Sequence, residues 1–363
     1  MLILRILLIP VSYLYGFIIH VRNLLFDWNI FKSKSYPLPS ICVGNIEIGG
    51  TGKTPHVEYL IRLLKDKYSI ATLSRGYGRK TKGFVEADET KTYKDIGDEP
   101  MLFFTKYPDV KVYVDEKRTR GVEKILKDNQ KVEVVLLDDC YQHRWIKPGL
   151  NILLLDYHNI DQPQYMLPSG RLREFKSGMD RADIVIVTKG PSVFSPIENR
   201  RVSNILQLKS WQKLFFSYIS YKNLVPFTSA AEQLEQSDSK FNLKEYKALV
   251  FAGIAKMDPL IEYMNAQVKE TVVHDFSDHH NYSVADVVSI SNSFKAITLA
   301  KKIIVTTEKD AMRLIEERFS SVIEDLPMFY IPIEVGIHQE NNQFDSLILE
   351  YVKRDKKSAT IHL

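Results

Sequence analysis

Hydrophobic and polar residues follow two different periods along most of the chain. Short, nearly continuous apolar runs such as "SICVGN" and "VEVVLLDD" are typical of strands that are buried on both faces of a parallel sheet. Between them lie segments such as "PHVEYLIRLLKDKY", in which Val57, Leu60, Ile61 and Leu64 recur at helical spacing on one face. This strand–helix alternation predicts an α/β fold with a parallel sheet covered by helices.

The pattern changes at Lys213, where "KLFFSYISYKNLVPF" forms a long alternating ribbon that the polar stretch "SAAEQLEQSDSKFN" follows. A second series of strand-like and helix-like segments then runs from "YKALVFAGIA" to "MFYIPIEV". We therefore expect a second, smaller α/β domain. The predicted divisions are an N-terminal helix over 1–30, a first domain over 31–227, a second domain over 228–340, and a C-terminal helix with a basic tail over 341–363.

The first 28 residues, "MLILRILLIPVSYLYGFIIHVRNLLFDW", are strongly apolar. Arg5, Ser12 and Asn23 are seven and eleven residues apart, close to whole helical turns, so they share one face. Most of the remaining positions in this segment are Leu, Ile, Phe or Trp. This arrangement predicts an apolar helix that lies in the membrane interface. A helix packed on the protein's own core is the alternative, and a spanning helix stays possible.

Composition narrows the class of protein only modestly. Apolar residues make up 45% of the 363 residues and charged residues 26%, which is ordinary for a folded protein. The 49 Lys and Arg against 45 Asp and Glu give a net charge of +4, so bulk charge does not indicate a nucleic-acid partner. Cys42 and Cys140 fit no disulfide framework or metal spacing, and we expect core thiols in a reducing, cytoplasmic setting.

The segment "VGNIEIGGTGKTP" contains most of a phosphate-binding loop. A buried strand runs directly into "GGTGKT" and an amphipathic helix follows, which is the context such a loop needs. Glycines let backbone N–H groups approach phosphate oxygens, Lys53 can reach the β and γ phosphates, and the Thr54 hydroxyl can hold Mg²⁺. The first glycine of the usual pattern is Glu47 here. We nevertheless expect a nucleotide site rather than a simple glycine turn.

A second motif supplies carboxylates for the metal. Asp138 and Asp139 directly follow the apolar run "VEVVLL", and a nucleotide site of this kind needs a Mg²⁺ carboxylate at the end of another buried strand. Paired aspartates also cap turns after strands. Together with the phosphate loop, the pair favours the metal role.

Three further stretches leave their chemistry open. "TKGP" has Pro191 where a guanine-reading aspartate would stand, so this stretch does not favour a GTPase switch. "GDEP" places Asp98 and Glu99 before a proline typical of a helix start, where they could serve as a general base or only as capping residues. "FSDHH" could hold a metal, lead into a helix or orient a carboxylate.

Taken together, these motifs resemble the tetraacyldisaccharide 4′-kinase family of lipid A synthesis. The matching stretches are "VGNIEIGGTGKTP", "LSRGYGR", "GDEP", "DDCYQHR", "LPSGRLRE", "TTEKDA" and "FSDHH", in the family's order and over nearly the whole chain. The family also generally lacks the first glycine of the loop. In this chain Phe175 replaces the proline that usually follows "LRE".

The resemblance implies an ATP- and Mg²⁺-dependent enzyme that transfers the γ-phosphoryl group to the 4′-hydroxyl of an acylated disaccharide 1-phosphate. By motif position, the catalytic residues would be Asp98 as base, His279 as its partner, Lys53 and Arg173. The ATP-binding residues would be Gly49, Gly50, Thr51, Gly52, Lys53 and Thr54.

The same resemblance extends to the metal and the acceptor. Residues at the metal would be Thr54, Asp138, Asp139, Glu99 and Glu174. Residues along the acceptor groove would be Arg75, Tyr77, Arg118, Gln142 and His143. The partners implied are the lipid acceptor and the cytoplasmic face of the inner membrane, which the N-terminal helix would contact, and no nucleic acid.

Two readings from other classes compete. A membrane-tethered regulatory ATPase would use "GGTGKT" for a nucleotide-dependent switch and would leave "GDEP" and "FSDHH" without a role. A nucleotide-binding structural adaptor would leave Asp138 and Asp139 unexplained as well. The kinase is the reading that uses every motif.

Overall fold

The computed structural model describes residues 2–129, 131–237, 241–254, 256–278, 280–315 and 317–361. These residues group into two compact units. The first unit runs to Ile219 and resumes at Val335, and the second comprises Ser220–Glu334.

A nine-stranded sheet forms the centre of the first unit, in the order β14-β8-β7-β6-β1-β5-β2-β4-β3. Its strands are β1 (Ser40–Asn45), β2 (Ile70–Ser74), β3 (Val85–Glu86), β4 (Lys111–Val114), β5 (Val134–Asp138), β6 (Leu150–Asp156), β7 (Ile184–Thr188), β8 (Lys213–Tyr221) and β14 (Ile333–His338). Neighbours from β8 to β4 pair in parallel, whereas β3 runs antiparallel to β4. The predicted parallel sheet is therefore confirmed.

Helices cover both faces of this sheet. They are α1 (Leu2–Asp27), α2 (Lys53–Leu64), α3 (Tyr93–Ile96), α4 (Asp98–Lys106), α5 (Arg118–Asp128), α6 (Pro196–Leu206) and α12 (Gln343–Ile361). Side chains alternate along β1: Ile41 and Val43 pack with α2 and α12 in one apolar layer, whereas Cys42 packs with α5 in the other. Both faces of the strand are thus buried, which explains its continuous apolar sequence. Cys42 and Cys140 are free buried thiols, as expected.

The second unit is a smaller α/β sandwich. Its sheet has the order β11-β10-β12-β13-β9, with β9 (Val225–Pro226), β10 (Lys247–Ala252), β11 (Glu270–Asp275), β12 (Lys302–Thr307) and β13 (Met328–Ile331). Its helices are α7 (Ser229–Ser237), α8 (Asp258–Gln267), α9 (Val284–Ala296), α10 (Glu308–Leu314) and α11 (Glu317–Ile323). One apolar layer includes α8 and the other includes α9, on opposite faces of β10. The predicted second α/β unit is confirmed.

Two segments that are continuous in the sequence pattern are each divided between the two sheets. "KLFFSYISYKNLVPF" forms β8 of the first sheet and the short β9 of the second. "MFYIPIEV" forms β13 of the second sheet and β14 of the first. Pro332 separates the latter pair, because proline has no N–H to continue a ladder.

Helix α1 presents two different faces. Ser12, Asn23 and Phe26 contact the rest of the first unit. The Phe26 ring packs edge-on against the Trp145 ring, with ring centroids 4.9 Å apart. The opposite face is exposed and apolar, with Tyr13 at 74% and Phe17 at 64% exposure. The face that packs on the protein is therefore the predicted polar face, which contains Ser12 and Asn23. The Arg5 side chain lies outside the described residues.

Candidate active site

The phosphate loop connects the end of β1 to the start of α2. Gly49 has φ 105° and Gly52, the N-cap of α2, has φ 85°. Both values lie in the left-handed region, where a Cβ is unfavourable, so the sequence needs glycine at these two turns. The loop leads into the N-terminus of α2, where unpaired N–H groups and the helix dipole favour an anion.

Neighbouring side chains hold the loop in this shape. The Asn45 amide donates to the Thr51 hydroxyl at 2.8 Å, and the Thr188 hydroxyl donates to the Thr51 carbonyl at 2.9 Å. His56 Nδ1 lies 2.7 Å from the Gly52 carbonyl and Nε2 lies 2.9 Å from the Ser217 hydroxyl. Because a carbonyl only accepts, Nδ1 carries the proton and Nε2 accepts from Ser217.

Burial lowers the pKa of His56 to about 4, so this histidine is neutral near pH 7. It is therefore a fixed brace for the loop rather than a charged phosphate ligand. Neither Asn45 nor His56 occupies a defining position of the phosphate-loop pattern, so the motif alone does not predict these supporting contacts.

Glu47, which replaces the first glycine of the usual loop, turns away from the phosphate side. Its side chain is 2% exposed, and its carboxylate accepts from the Asn159 amide at 2.9 Å. Its backbone forms an antiparallel bridge with Leu172. An extended backbone does not require glycine. Glu47 in place of the first glycine of the pattern therefore leaves the phosphate-binding turn of residues 49–54 intact.

The two aspartates after β5 have contrasting environments. Asp138 is buried, and burial together with the nearby Glu99 and Asp139 carboxylates raises its pKa to about 7. Its Oδ1 is buried without a hydrogen-bond partner. An orphaned buried carboxylate oxygen of this kind is costly unless a cation or proton occupies it.

Asp139 has φ 46°, a left-handed conformation that aspartate tolerates better than most residues. Burial acts to raise its pKa, but the Lys53 ammonium and the Arg173 guanidinium outweigh this and lower it. Lys53 Nζ lies 3.6 Å from Asp139 Oδ1, and Arg173 Nη1 lies 3.2 Å from the same oxygen. The phosphate loop, the paired aspartates and the "LRE" motif thus meet at one point.

Arg118, expected in the acceptor groove, is 2% exposed. Its guanidinium donates to the backbone carbonyls of Asp115 at 2.8 Å and Asp138 at 3.0 Å. It therefore fixes the turn that carries the two aspartates.

The "SRGYGR" and "GDEP" motifs touch through their glycines. A Cβ on Gly76 would meet the Ile96 carbonyl at 2.6 Å, and one on Gly97 would meet the Tyr77 carbonyl at 2.9 Å. This close approach sets Asp98 and Glu99 at the N-terminus of α4, with Glu99 near enough to Asp138 to affect its pKa. Tyr77 is 71% exposed and Arg75 is exposed.

Glu174 is a buried hydrogen-bond acceptor for several elements. Its carboxylate accepts from Asn23 of α1 at 3.1 Å, from Gln142 at 3.0 Å, and from Arg181 at 2.9 and 2.8 Å. Gln142 also donates to the Asn45 carbonyl at 2.6 Å. The glutamate that was expected at the metal thus joins α1, the "DDCYQHR" turn and the "LRE" segment.

A cavity of about 340 Å³ opens beside these residues. It is lined by Tyr15, Ile19, Arg22, Arg75, Asp139, Gln142, His143, Leu167, Arg173 and Glu174. Burial and the neighbouring Arg118 and Arg75 lower the pKa of His143 to about 4, so it is neutral near pH 7. Three arginines in this cavity suit an anionic ligand.

The donor set fits a single Mg²⁺ ion. The described residues contain no cluster of three or more His, Cys, Asp or Glu that would cage a metal. Mg²⁺ usually binds through one or two carboxylates and the substrate's phosphates, so a cage is not required. The orphaned Asp138 oxygen and the buried Thr54 at the start of α2 provide suitable oxygen ligands.

His279, expected as the partner of Asp98, lies outside the described residues. Its neighbour His280 belongs to the second unit, where Nε2 lies 3.1 Å from the Asp286 carboxylate at the start of α9. The structure thus assigns a local capping network to the second histidine of "FSDHH".

The chain is similar to known proteins over nearly its full length. The family model described as tetraacyldisaccharide-1-P 4′-kinase matches residues 4–353. Two relatives named tetraacyldisaccharide 4′-kinase are each 44% identical to this chain. The protein of Bacteroides thetaiotaomicron aligns over 97% of this chain and 94% of its own length, and that of Flavobacterium johnsoniae over 97% and 98%.

A solved structure has the same fold. It is described as the "apo" form of LpxK from Aquifex aeolicus in complex with ATP, and it superposes with a TM-score of 0.70 at 30% identity. The alignment covers 96% of this chain and 99% of that one.

Proposed function

The chain belongs to the tetraacyldisaccharide 4′-kinase family, and we propose from its side chains how it carries out that reaction. The enzyme transfers the γ-phosphoryl group of ATP to the 4′-hydroxyl of a tetraacyldisaccharide 1-phosphate, which yields the 4′-phosphorylated lipid A precursor. The family resemblance in the sequence is thereby confirmed. The observation that carries the structural account is the convergence of Lys53, Asp139 and Arg173 beside the arginine-lined cavity.

The phosphate loop binds and orients the nucleotide. Backbone N–H groups of residues 49–54 and the N-terminus of α2 surround the phosphates, and Lys53 neutralises the β and γ oxygens. Phosphoryl transfer needs little covalent help from the protein, so this placement of positive charge is the main contribution to rate. Arg173 adds a second cation beside Asp139.

Thr54 and Asp138 would hold Mg²⁺ through oxygen atoms, with Asp139 and Glu99 nearby. A bound Mg²⁺ would supply positive charge against the charge that develops during transfer. We assign Glu174 and Arg118 to positioning rather than to direct metal or acceptor contact. This assignment rests on the hydrogen bonds that already occupy the Glu174 carboxylate and the Arg118 guanidinium.

Asp98 accepts the proton of the acceptor's hydroxyl group. It lies at the start of α4, next to the "SRGYGR" loop, on the side of the site where Glu99 influences Asp138. His279 would orient this carboxylate, an assignment that rests on the family motif alone. A general base must come within hydrogen-bond reach of the proton that it removes.

The cavity receives the sugar headgroup of the acceptor. Arg22 and Arg75 offer guanidinium donors for its 1-phosphate, and Gln142 and His143 also line the cavity. The exposed Tyr77 is assigned to the groove from the family motif. Because α1 forms one wall, acyl chains that leave the headgroup can follow the exposed apolar side of that helix.

We further propose that α1 lies in the cytoplasmic leaflet of the inner membrane. The stretch Leu7–Asp27 has a mean hydropathy of 1.3. By length and composition alone, this helix is long and apolar enough to cross a membrane. Its polar face, however, contacts the first unit from Ser12 to Asn23. A helix that is packed along one side over this length fits a monotopic position, with the other face in lipid.

Transfer of label tests the proposed reaction. The protein is incubated with γ-labelled ATP, Mg²⁺ and the acylated disaccharide 1-phosphate in detergent. Label on the lipid supports the kinase. Release only as free phosphate would support the alternative regulatory ATPase, which the names of the relatives do not favour.

A further inference from the structure

One face of α1 is built into the loops that carry the catalytic side chains. The Ser12 hydroxyl accepts from the Ser169 N–H at 2.9 Å, and Gly16 lies beneath the Phe175 ring, where a Cβ would come within 2.9 Å of it. Arg22 donates to the Gln142 carbonyl at 2.8 Å. These contacts lie four and six residues apart, so they hold the helix over about three turns.

Two of the contacts reach the residues next to the chemistry. The Tyr15 hydroxyl donates to the Arg173 carbonyl at 3.1 Å. The Asn23 amide donates to the Glu174 carboxylate at 3.1 Å, a group that is 2% exposed. Both donors come from α1, about 150 residues away in sequence. The backbone of Arg173 and the side chain of Glu174 are thus both fixed from the same helix.

From there the contacts continue to the phosphate loop. Arg173 Nη1 lies 3.2 and 3.3 Å from the two oxygens of Asp139, whose Oδ1 is 3.6 Å from Lys53 Nζ. A small shift of the Arg173 backbone would move its guanidinium relative to Asp139 and Lys53. Because electrostatic stabilisation depends on donors being held where charge develops, such a shift lowers the rate.

We propose that Tyr15 and Asn23 are positioning residues for phosphoryl transfer. Helix α1 then has two separate roles: its apolar face meets lipid, and its polar face sets Arg173 and Glu174 against Asp139. This inference rests on the proposed function. It implies that correct docking of α1 is needed for turnover even when the acceptor is presented without a membrane.

The effect of each residue follows from the bond that it makes. Tyr15→Phe removes one hydroxyl and keeps the ring, so we expect kcat to fall about fivefold. Asn23→Leu keeps the number and branching of the side-chain heavy atoms but removes a donor from a buried carboxylate, so we expect kcat to fall about tenfold. A lipid contact would behave differently, since its loss raises KM for the acceptor and leaves kcat unchanged.

The experiment measures kcat and KM of the full chain with detergent-dispersed acceptor, where attachment to a bilayer plays no part. We expect lower kcat for both variants and KM for the acceptor within twofold of the wild type. The matched control is Tyr351→Phe, which removes a hydroxyl that donates to the Ser40 carbonyl at 3.2 Å, at the opposite end of β1. The control should keep the wild-type kcat.

A double-mutant cycle tests the route through Arg173. If Tyr15 acts by placing that guanidinium, Tyr15→Phe should have no further effect on kcat in an Arg173→Ala background. An equal fivefold loss in both backgrounds would overturn the proposal, as would an unchanged kcat with a raised KM. A wild type that labels no lipid would instead contradict the proposed function itself, so the two failures are distinguishable.

Discussion

Lys53 Nζ and Asp139 Oδ1 lie 3.6 Å apart, so the lysine of the phosphate loop is paired with a carboxylate of the neighbouring strand end. The carboxylate is also paired with Arg173, so the site contains two cations around one anion. These three side chains together carry a net positive charge, which suits a phosphate group.

Lys53→Ala removes one of these cations. We expect kcat to fall by ~10²–10³, because a lost charge contact in a dry site typically costs a few kcal/mol of transition-state stabilisation. Lys65→Ala is the matched control, since Lys65 forms an ion pair with the exposed Asp66 at the other end of α2. Near wild-type turnover of Lys53→Ala would contradict the role of the phosphate loop.

Binding of Mg²⁺ should depend on pH through Asp138. Its pKa is raised to about 7, and the metal binds the ionised form. Each pH unit below 7 should therefore weaken apparent Mg²⁺ affinity about tenfold, with a plateau above pH 8. Titration of Mg²⁺ against turnover at pH 6, 7 and 8 checks this, and equal apparent constants at pH 6 and 8 would exclude Asp138 as the ligand.

The same aspartate should lower the stability of the metal-free protein at high pH. A carboxyl whose pKa is higher in the folded state stabilises the fold at low pH, and that contribution is lost as pH rises to about 7. At pH 8 the penalty is roughly 4 kcal/mol for a shift of this size. Asp138→Asn should thus raise the Tm of the metal-free protein at pH 8 but not at pH 4. The control Asp66→Asn, at an exposed carboxylate, should leave the Tm unchanged at both pH 8 and pH 4.

Asp98 and His279 are expected to act as a unit. Asp98→Ala and His279→Ala should each reduce turnover strongly while ATP affinity changes little. The double variant should be scarcely slower than the more damaged single variant, because residues that share one step are non-additive. Fully multiplicative losses would show that the two residues act independently, and His279 would then be a lid or lipid contact.

The exposed side of α1 should determine attachment to membranes. Replacing both Leu14 and Phe17, 61% and 64% exposed, by Glu removes two apolar side chains from the lipid-facing surface. We expect binding to anionic vesicles to weaken more than tenfold, since each such side chain contributes about 1.5–3 kcal/mol. Co-sedimentation measures this binding. Ile197→Glu, at an 81% exposed position on α6, is the control, and equal vesicle binding of all three proteins would exclude the proposed leaflet position.

The sequence by itself determined the fold class and the chemistry of the phosphate loop. Continuous apolar runs identify strands buried on both faces, and helical spacing identifies α2, because both patterns are local consequences of backbone geometry. The role of Gly52, Lys53 and Thr54 can be predicted locally, because all three lie in one strand–loop–helix unit. The order of the motifs along the chain was sufficient to identify the family.

Only the tertiary structure decided which distant side chains meet. Asn23 and Glu174 are 151 residues apart, and nothing in either segment's pattern indicates their contact. Glu47 looks like a defect of the loop in sequence, yet it faces Asn159 and leaves the cradle unaffected. Arg118, predicted to lie along the acceptor groove, donates to the Asp138 carbonyl, a contact that its motif does not indicate. Such roles depend on how the loops at the carboxyl ends of parallel strands converge, and that convergence is set by the packing of the whole sheet.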